Sequence, residues 1–207
     1  MKTKTLVIGA LIAALSYIAF AFFKIDITVM GSKTAFHLGN AFVVIGALLL
    51  GGVTGGISGA VGLTLADLTS GYAIYAPTTF ILKLCIGIIT GFVAHRIGKV
   101  NTISDVKQRA KWVFISTLAG MIFNIIFDPL FSFIRSYILL GLGVNEVAGK
   151  QIKAVEVASI LAKWSALTTF VNAILTIIFV CITYTYLSNR LFNSSFTYRY
   201  KKGDKHE

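Results

Sequence analysis

Residues 36–91 read FHLGNAFVVIGALLLGGVTGGISGAVGLTLADLTSGYAIYAPTTFILKLCIGIITG. On this apolar, glycine-rich background stand one His, one Asp and one Lys, at positions 37, 67 and 83. Three apolar runs are separated by Gly51-Gly52 and by the loop Gly71–Pro77. Runs this greasy can cross a bilayer only as helices, because only a helix satisfies every backbone N–H and C=O within one segment. The stretch therefore predicts helices over 37–50, 53–70 and 78–96. Pro77 sits where a first helical turn tolerates a missing N–H. The pairs Gly51-Gly52 and Gly55-Gly56 predict a tight turn between the first two helices.

Outward from this stretch the same pattern continues. Upstream, residues 5–23 form another apolar helix, followed by a polar hairpin over 24–36 that carries Asp26, Gly31, Ser32 and Lys33. Downstream, a polar, basic segment over 97–110 leads into helices over 111–140 and 156–188, both longer than a bilayer requires. Residues 189–207 read as a basic tail. The chain is 56% hydrophobic with a mean hydropathy of +0.82, and its two prolines and 13% charged residues leave no room for a separate soluble domain. The expected fold is a single all-α integral membrane domain of six transmembrane helices in a cell membrane.

The net charge of +11 raises the question of nucleic acid. Its distribution answers otherwise, because the basic residues cluster at the termini and in one central loop, and no aromatic–basic nucleic-acid module is present. With six helices, twelve Lys and Arg residues (2, 4, 96, 99, 107, 109, 111, 190, 199, 201, 202, 205) share the side of the termini, against five (24, 33, 135, 150, 153) on the other. That asymmetry makes both termini cytoplasmic. Lys2, Lys4 and the Ala19-Phe20-Ala21 triplet mimic a signal peptide, but the apolar run is long for one, and the first helix is expected to be retained. Cys85 and Cys181 lie in apolar segments without CxxC spacing, so neither a disulfide framework nor a zinc site is indicated.

Polar side chains inside apolar helices are costly and are commonly functional or paired. Here they gather at one depth, counted at about 1.5 Å per residue. His37 and Asn40 open the second helix from outside, and Asp67 lies about one turn before the outer end of the third. Lys83 lies about one turn into the fourth, while Lys163 and Trp164 are two turns into the sixth. On the fifth, Asn124, Asp128, Phe131 and Arg135 share one face; on the sixth, Trp164, Thr168 and Asn172 share another. Convergence at one level reads as an outer-leaflet pocket. The plainer reading is structural ion pairing, Asp67 with Lys83 and Asp128 with Arg135, and a pocket lined by paired charges satisfies both. Phe36, Tyr72, Tyr75 and Trp164 at the mouth read either as an interfacial belt or as a lid that stacks on a flat heterocycle.

Small residues form a further pattern. Gly9, Ala10, Ala13 and Ala14 give small-xxx-small spacings on the first helix, and Gly51, Gly52, Gly55, Gly56, Gly59 and Gly62 stud the next hairpin. Such faces let helix backbones approach closely. Internal packing is the reading for the third helix; on the first, a partner helix is an equal candidate. Gly56-Ile57-Ser58-Gly59 matches the GxSG of rhomboid-type proteases, with His95 at a comparable depth. A four-residue match in a glycine-rich turn has little weight, and Ser58 reads as packing. No H-E-x-x-H, P-loop or dinucleotide fingerprint occurs. No enzyme activity and no cofactor are expected, and without a Walker motif the chain cannot itself hydrolyse ATP.

Residues 36–91 resemble the substrate-binding S components of energy-coupling factor (ECF) vitamin transporters. Within that family, HLGN followed by ADLTSGYAIYAPTTFILK is most similar to the branch assigned to hydroxymethylpyrimidine or pyridoxine. Other vitamins of the family (pantothenate, riboflavin, folate, thiamine) remain alternatives. The resemblance implies that Tyr72, Tyr75 and Trp164 stack on the ligand while His37, Asn40, Asp67, Lys83 and Asn124 bond its ring nitrogen and hydroxyls. Asp128 and Lys163 join the candidate substrate-binding set by their depth in the fifth and sixth helices. The resemblance also implies docking of the Gly9, Ala10, Ala13, Ala14 stripe on a transmembrane coupling subunit that works with two ATPase subunits. Its mechanism would be capture from outside followed by toppling in the membrane. A stand-alone proton-coupled carrier using Asp67, Lys83 and Asp128 is the competing class, but residues 1–100 and 101–207 show no internal repeat of the kind such carriers carry.

Overall fold

The computed structural model describes residues 3–141, 146–147, 150–151 and 153–191. Its order is α1 (Thr3–Ala21), β1 (Ile25–Val29), β2 (Ser32–Phe36), α2 (Gly39–Leu50), α3 (Gly52–Thr69), a 3-10 turn (Ala73–Tyr75), α4 (Ala76–Phe92), α5 (Val106–Gly141), β3 (Glu146–Val147), β4 (Lys150–Gln151) and α6 (Ala154–Leu191). β1 and β2 pair as an antiparallel hairpin with Val29 opposite Ser32. Its two-residue turn, Met30-Gly31, has positive φ at both positions (48° and 77°), which suits the right-handed twist of the strands. The polar hairpin over 24–36 is thus a small sheet, and β3 and β4 pair as a second, shorter one, Glu146 opposite Gln151.

The molecule is all-α in its main body, with six helices, α1 to α6, among the described residues. Among the described residues, four helices are long and apolar enough to cross a membrane by length and composition: those beginning at Thr3, Ala73, Val106 and Ala154. α2, with 12 residues, extends about 18 Å, well short of a hydrocarbon core of about 30 Å. α3 has 18 residues but spends much of its sequence on glycine. Gly51 alone makes the corner between them, at φ 87° and ψ 159°, backbone that only glycine adopts readily. Gly55 and Gly56 lie within α3 and not in the turn.

Those glycines explain the packing. A Cβ on Gly55 would collide with the backbone of Gly46 in α2, and one on Gly62 with the Ala13 carbonyl of α1. Gly56 and Gly52 meet Gly87 and Gly91 of α4 in the same way. α3 is therefore a hub pressed at backbone distance against α1, α2 and α4. Around it a core of Phe20, Val44, Leu48, Leu63, Ile86, Met121 and Val180 fills the bundle.

Boundaries shift for local reasons. α5 begins five residues earlier than the hydropathy suggests because Asp105 caps it, accepting from the N–H groups of Lys107 (3.4 Å) and Gln108 (3.0 Å). α4 passes into one π-helical turn over Val93–Ile97, tied to α2 by a hydrogen bond between His95 Nε2 and Ala47 O at 3.0 Å. α6 continues to Leu191, through residues assigned to the tail; the remainder, 192–207, lies outside the described residues.

Candidate functional site

Where α2 begins, α3 ends and α4 begins, the helices part around a hollow of about 830 Å3, its open mouth included. β2 and the turn over 73–75 close over it, and α5 and α6 supply its remaining walls.

The mouth is tied down by tyrosines. Tyr75 Oη accepts from the Lys33 N–H at 3.0 Å and shares a 2.8 Å hydrogen bond with Ser32 Oγ. Tyr72 Oη donates to Asp26 Oδ1 at 2.8 Å, and Lys24 bridges to the same carboxylate at 2.6 Å. Partial burial opposes ionisation of Asp26, yet the hydrogen bonds from Lys24 and Tyr72 and the charge of Lys24 hold its carboxyl below its ordinary range. Burial, and then Asp26, push the Tyr72 phenol well above its ordinary value, so it stays protonated and keeps donating. The aromatic faces are also engaged: Arg135 lies 4.0 Å from the ring centre of Tyr75, and Lys24 4.7 Å from that of Tyr72. The tyrosines therefore act as struts of the lid.

On the α6 side, Asn172 clamps the hairpin. Its Oδ1 accepts from the His37 N–H at 3.0 Å, and its Nδ2 donates to Ala35 O at 2.9 Å. Thr34 and Thr168 share a hydroxyl hydrogen bond at 2.8 Å. His37 Nδ1 accepts from the Gly39 N–H at 3.1 Å, which caps the start of α2 and leaves the ring proton on Nε2.

Deeper lie the charges. Asp128 Oδ2 accepts from Ser165 Oγ at 2.6 Å and Thr169 Oγ1 at 2.7 Å, joining α5 to α6 just before Pro129. Lys83 Nζ reaches Asn124 Oδ1 at a long 3.4 Å. Arg135 makes similarly long contacts, 3.4 Å each, to Thr78 and Ser132. Among the described residues, none of Asp67, Lys83, Asp128 and Arg135 forms an ion pair with another within 4.0 Å. The expected pairs Asp67–Lys83 and Asp128–Arg135 are thus not made; the charges stand around the hollow instead of cancelling across it.

Of the residues singled out from sequence, His37, Asn40, Asp67, Tyr72, Tyr75, Lys83, Asn124, Asp128 and Trp164 all line the hollow. Lys163 does not: it is exposed on the outside of α6, one helical step from the inward face of Trp164, Thr168 and Asn172. Sequence reasoning missed Thr34, Ser132, Ser165 and Thr169. Ser132 lies one turn beyond Asp128, so the polar stripe of Asn124, Asp128 and Arg135 on the fifth helix was the signal for it. The small-residue stripe of α1 also divides. Gly9 is buried against Ser58 and Ala13 lies against Gly62, whereas Ala10 and Ala14 face outward. Ser58 Oγ donates to Thr54 O within its own helix at 2.9 Å, an ordinary packing role.

Comparison with known proteins adds one finding. A family model described as ECF-type riboflavin transporter, S component, matches residues 1–191. No curated protein and no solved structure matches the chain significantly.

Proposed function

The chain belongs to the ECF-type riboflavin transporter S component family, and we propose that its outer hollow captures a compact, flat heteroaromatic vitamin, hydroxymethylpyrimidine or pyridoxine. As a member of this family it is a vitamin-specific, membrane-embedded binding subunit that works with an ECF module of transmembrane and ATPase subunits, in a family of transporters and not of enzymes.

One observation supports the reading of the hollow as the binding site. Four ionisable side chains from α3, α4 and α5 surround it without forming ion pairs among themselves. Buried charge without a partner is expensive, so natural proteins rarely keep it unless something else completes it. The lining is dominated by hydroxyl, amide and charged groups, with Phe20, Leu63 and Leu161 among its few large apolar members. That balance favours a small ligand bearing several hydrogen-bonding groups over one with a broad apolar ring system. Riboflavin, which the family description names, is the second reading.

Both termini on the cytoplasmic side, a hollow opening outward, and a helix-1 surface that docks on the coupling subunit beside two ATPases complete the proposal. Loaded protein would then topple to deliver its ligand inward. The experiment is uptake in cells expressing this chain with and without coupling and ATPase subunits, together with mass spectrometry of any small molecule that co-purifies. Accumulation that requires active ATPases, with a vitamin of this class in the purified protein, is the expected result. Uptake that persists with inactive ATPases and collapses with the proton gradient would make it a stand-alone carrier.

A further inference from the structure

Many polar groups around the hollow are already committed to the protein. Asp128 is held by two hydroxyls, Asn172 spends both ends of its amide on the hairpin, and the hydroxyls of Tyr72, Tyr75, Thr34 and Thr168 are all bonded. What remains open is unevenly distributed. On α2 and α3, Asn40 Oδ1 and Asp67 Oδ2 are acceptors without a hydrogen-bond partner, in residues only 1% and 3% exposed. On α4 and α5, Lys83 and Arg135 are cationic donors whose hydrogen bonds among the described residues are all long, 3.4 Å, and Arg135 also lies over the Tyr75 ring, which leaves Lys83 the more open of the two. Open acceptors thus belong to one pair of helices and open donors to the next.

Building on the vitamin-binding reading above, we propose that the ligand is dipolar, with a protonated ring nitrogen set against Asp67, Asn40 Oδ1 beside it, and an acidic ring oxygen set against Lys83. A 3-hydroxypyridine such as pyridoxine meets this description. Its phenolic proton moves to the ring nitrogen, giving N–H+ at one position and O− at another with no net charge. Such a ligand supplies a charge-assisted hydrogen bond to each buried ion without adding charge to the site. Hydroxymethylpyrimidine offers an amino donor but no acidic oxygen. Riboflavin offers an imide N–H but neither a cationic nitrogen nor a phenolate.

The test is calorimetric titration of the full chain in detergent with pyridoxine, N-methylpyridoxinium, 3-deoxypyridoxine, hydroxymethylpyrimidine and riboflavin. Pyridoxine is expected to bind best. Blocking the ring nitrogen or deleting the 3-oxygen should each weaken binding by about 10-fold or more, the loss expected for a charge-assisted hydrogen bond. Asp67→Asn should weaken pyridoxine far more than the N-methyl analogue, which already lacks that bond. If pyridoxine and both analogues bind within about 3-fold of one another, less than one such bond is worth, or if hydroxymethylpyrimidine binds tightest, the dipolar assignment is overturned while the vitamin class stands. Binding of riboflavin alone overturns both. The ligand analogues need no substitution, so a misfolded variant does not blunt the test.

Discussion

Replacing Lys83 by methionine separates a binding group from a structural one. The ammonium is buried, makes one 3.4 Å hydrogen bond to Asn124, and pairs with no carboxylate within 4.0 Å. Its stabilising interactions in the folded protein are therefore slight, while its desolvation is unfavourable. Methionine keeps the length and fills the same volume, so Lys83→Met should leave stability within about 1 kcal/mol or raise it. Ligand affinity should move the other way. A hydrogen bond to a charged group is worth about 1.5–3 kcal/mol, which corresponds to a loss of about 10- to 150-fold in Kd. Trp164 lines the hollow and reports occupancy by fluorescence; the other tryptophan, Trp112, packs against Gly98 near the start of α5. Thermal unfolding in detergent gives the stability arm. A fall of about 3–5 kcal/mol would mean that Lys83 neutralises Asp67 or Asp128 in the folded state, as breaking a buried ion pair does. That result, or unchanged affinity in a folded variant, refutes the argument from unpaired charge.

Other outcomes follow from the packing and the lid. Gly55→Val should destabilise the protein by at least about 1–3 kcal/mol, seen as a lowered unfolding temperature, because the new side chain meets the Gly46 backbone and not a movable side chain. Ala14→Leu, on the outward face of α1, should spare stability and ligand binding yet block assembly with the coupling subunit, whereas Gly62→Leu should destabilise the isolated chain because its side chain would meet the Ala13 backbone; co-purification and thermal unfolding distinguish them. The Asp26 carboxyl is held below its ordinary value, so its contribution is complete above the unfolded pKa of about 3.9 and is lost as pH falls through the folded value. Hydrogen exchange over residues 25–36 should accordingly quicken below about pH 4, relative to a control protein. Asp26→Asn should abolish that pH dependence.

How far the sequence could be read depended on contrast. Asp67, Lys83, Asn124 and Asp128 stand out because each interrupts an apolar run, and the one-face spacing of Asn124 and Asp128 is visible without coordinates. Ser165 and Thr169 carry no such contrast. Small hydroxyl residues are common in membrane helices, where they can bond their own backbone, and only the position of Asp128 on a neighbouring helix gives these two their role. Lys163 illustrates the opposite error. A charged residue in an apolar run attracts attention, but it sits one step off the stripe formed by Trp164, Thr168 and Asn172, and a step of 100° takes it outside. The same applies to helix 1, where Gly9, Ala10, Ala13 and Ala14 form two adjacent small faces. Sequence spacing sees both, and only the location of α3 decides which one is internal.

The stiffness of the site and its capacity to open reside in different interactions. Three helices meet at α3 through glycines, where backbone lies on backbone and nothing can be compressed, so that wall has one arrangement. The lid is held by a few hydrogen bonds and one ion pair at a partly exposed mouth, each worth about 1 kcal/mol net. Opening the mouth is therefore far cheaper than distorting the wall, and the hairpin can move while Asp67 and Lys83 keep their positions. That ordering has a consequence for binding. Substitutions in the Tyr72 and Tyr75 latch should change the rates of ligand entry and exit together, whereas substitutions at Asp67 or Lys83 should act chiefly on exit. Stopped-flow measurements of Trp164 fluorescence would separate the two; a Tyr75→Phe variant that altered exit alone would show that the lid, and not the wall, holds the ligand.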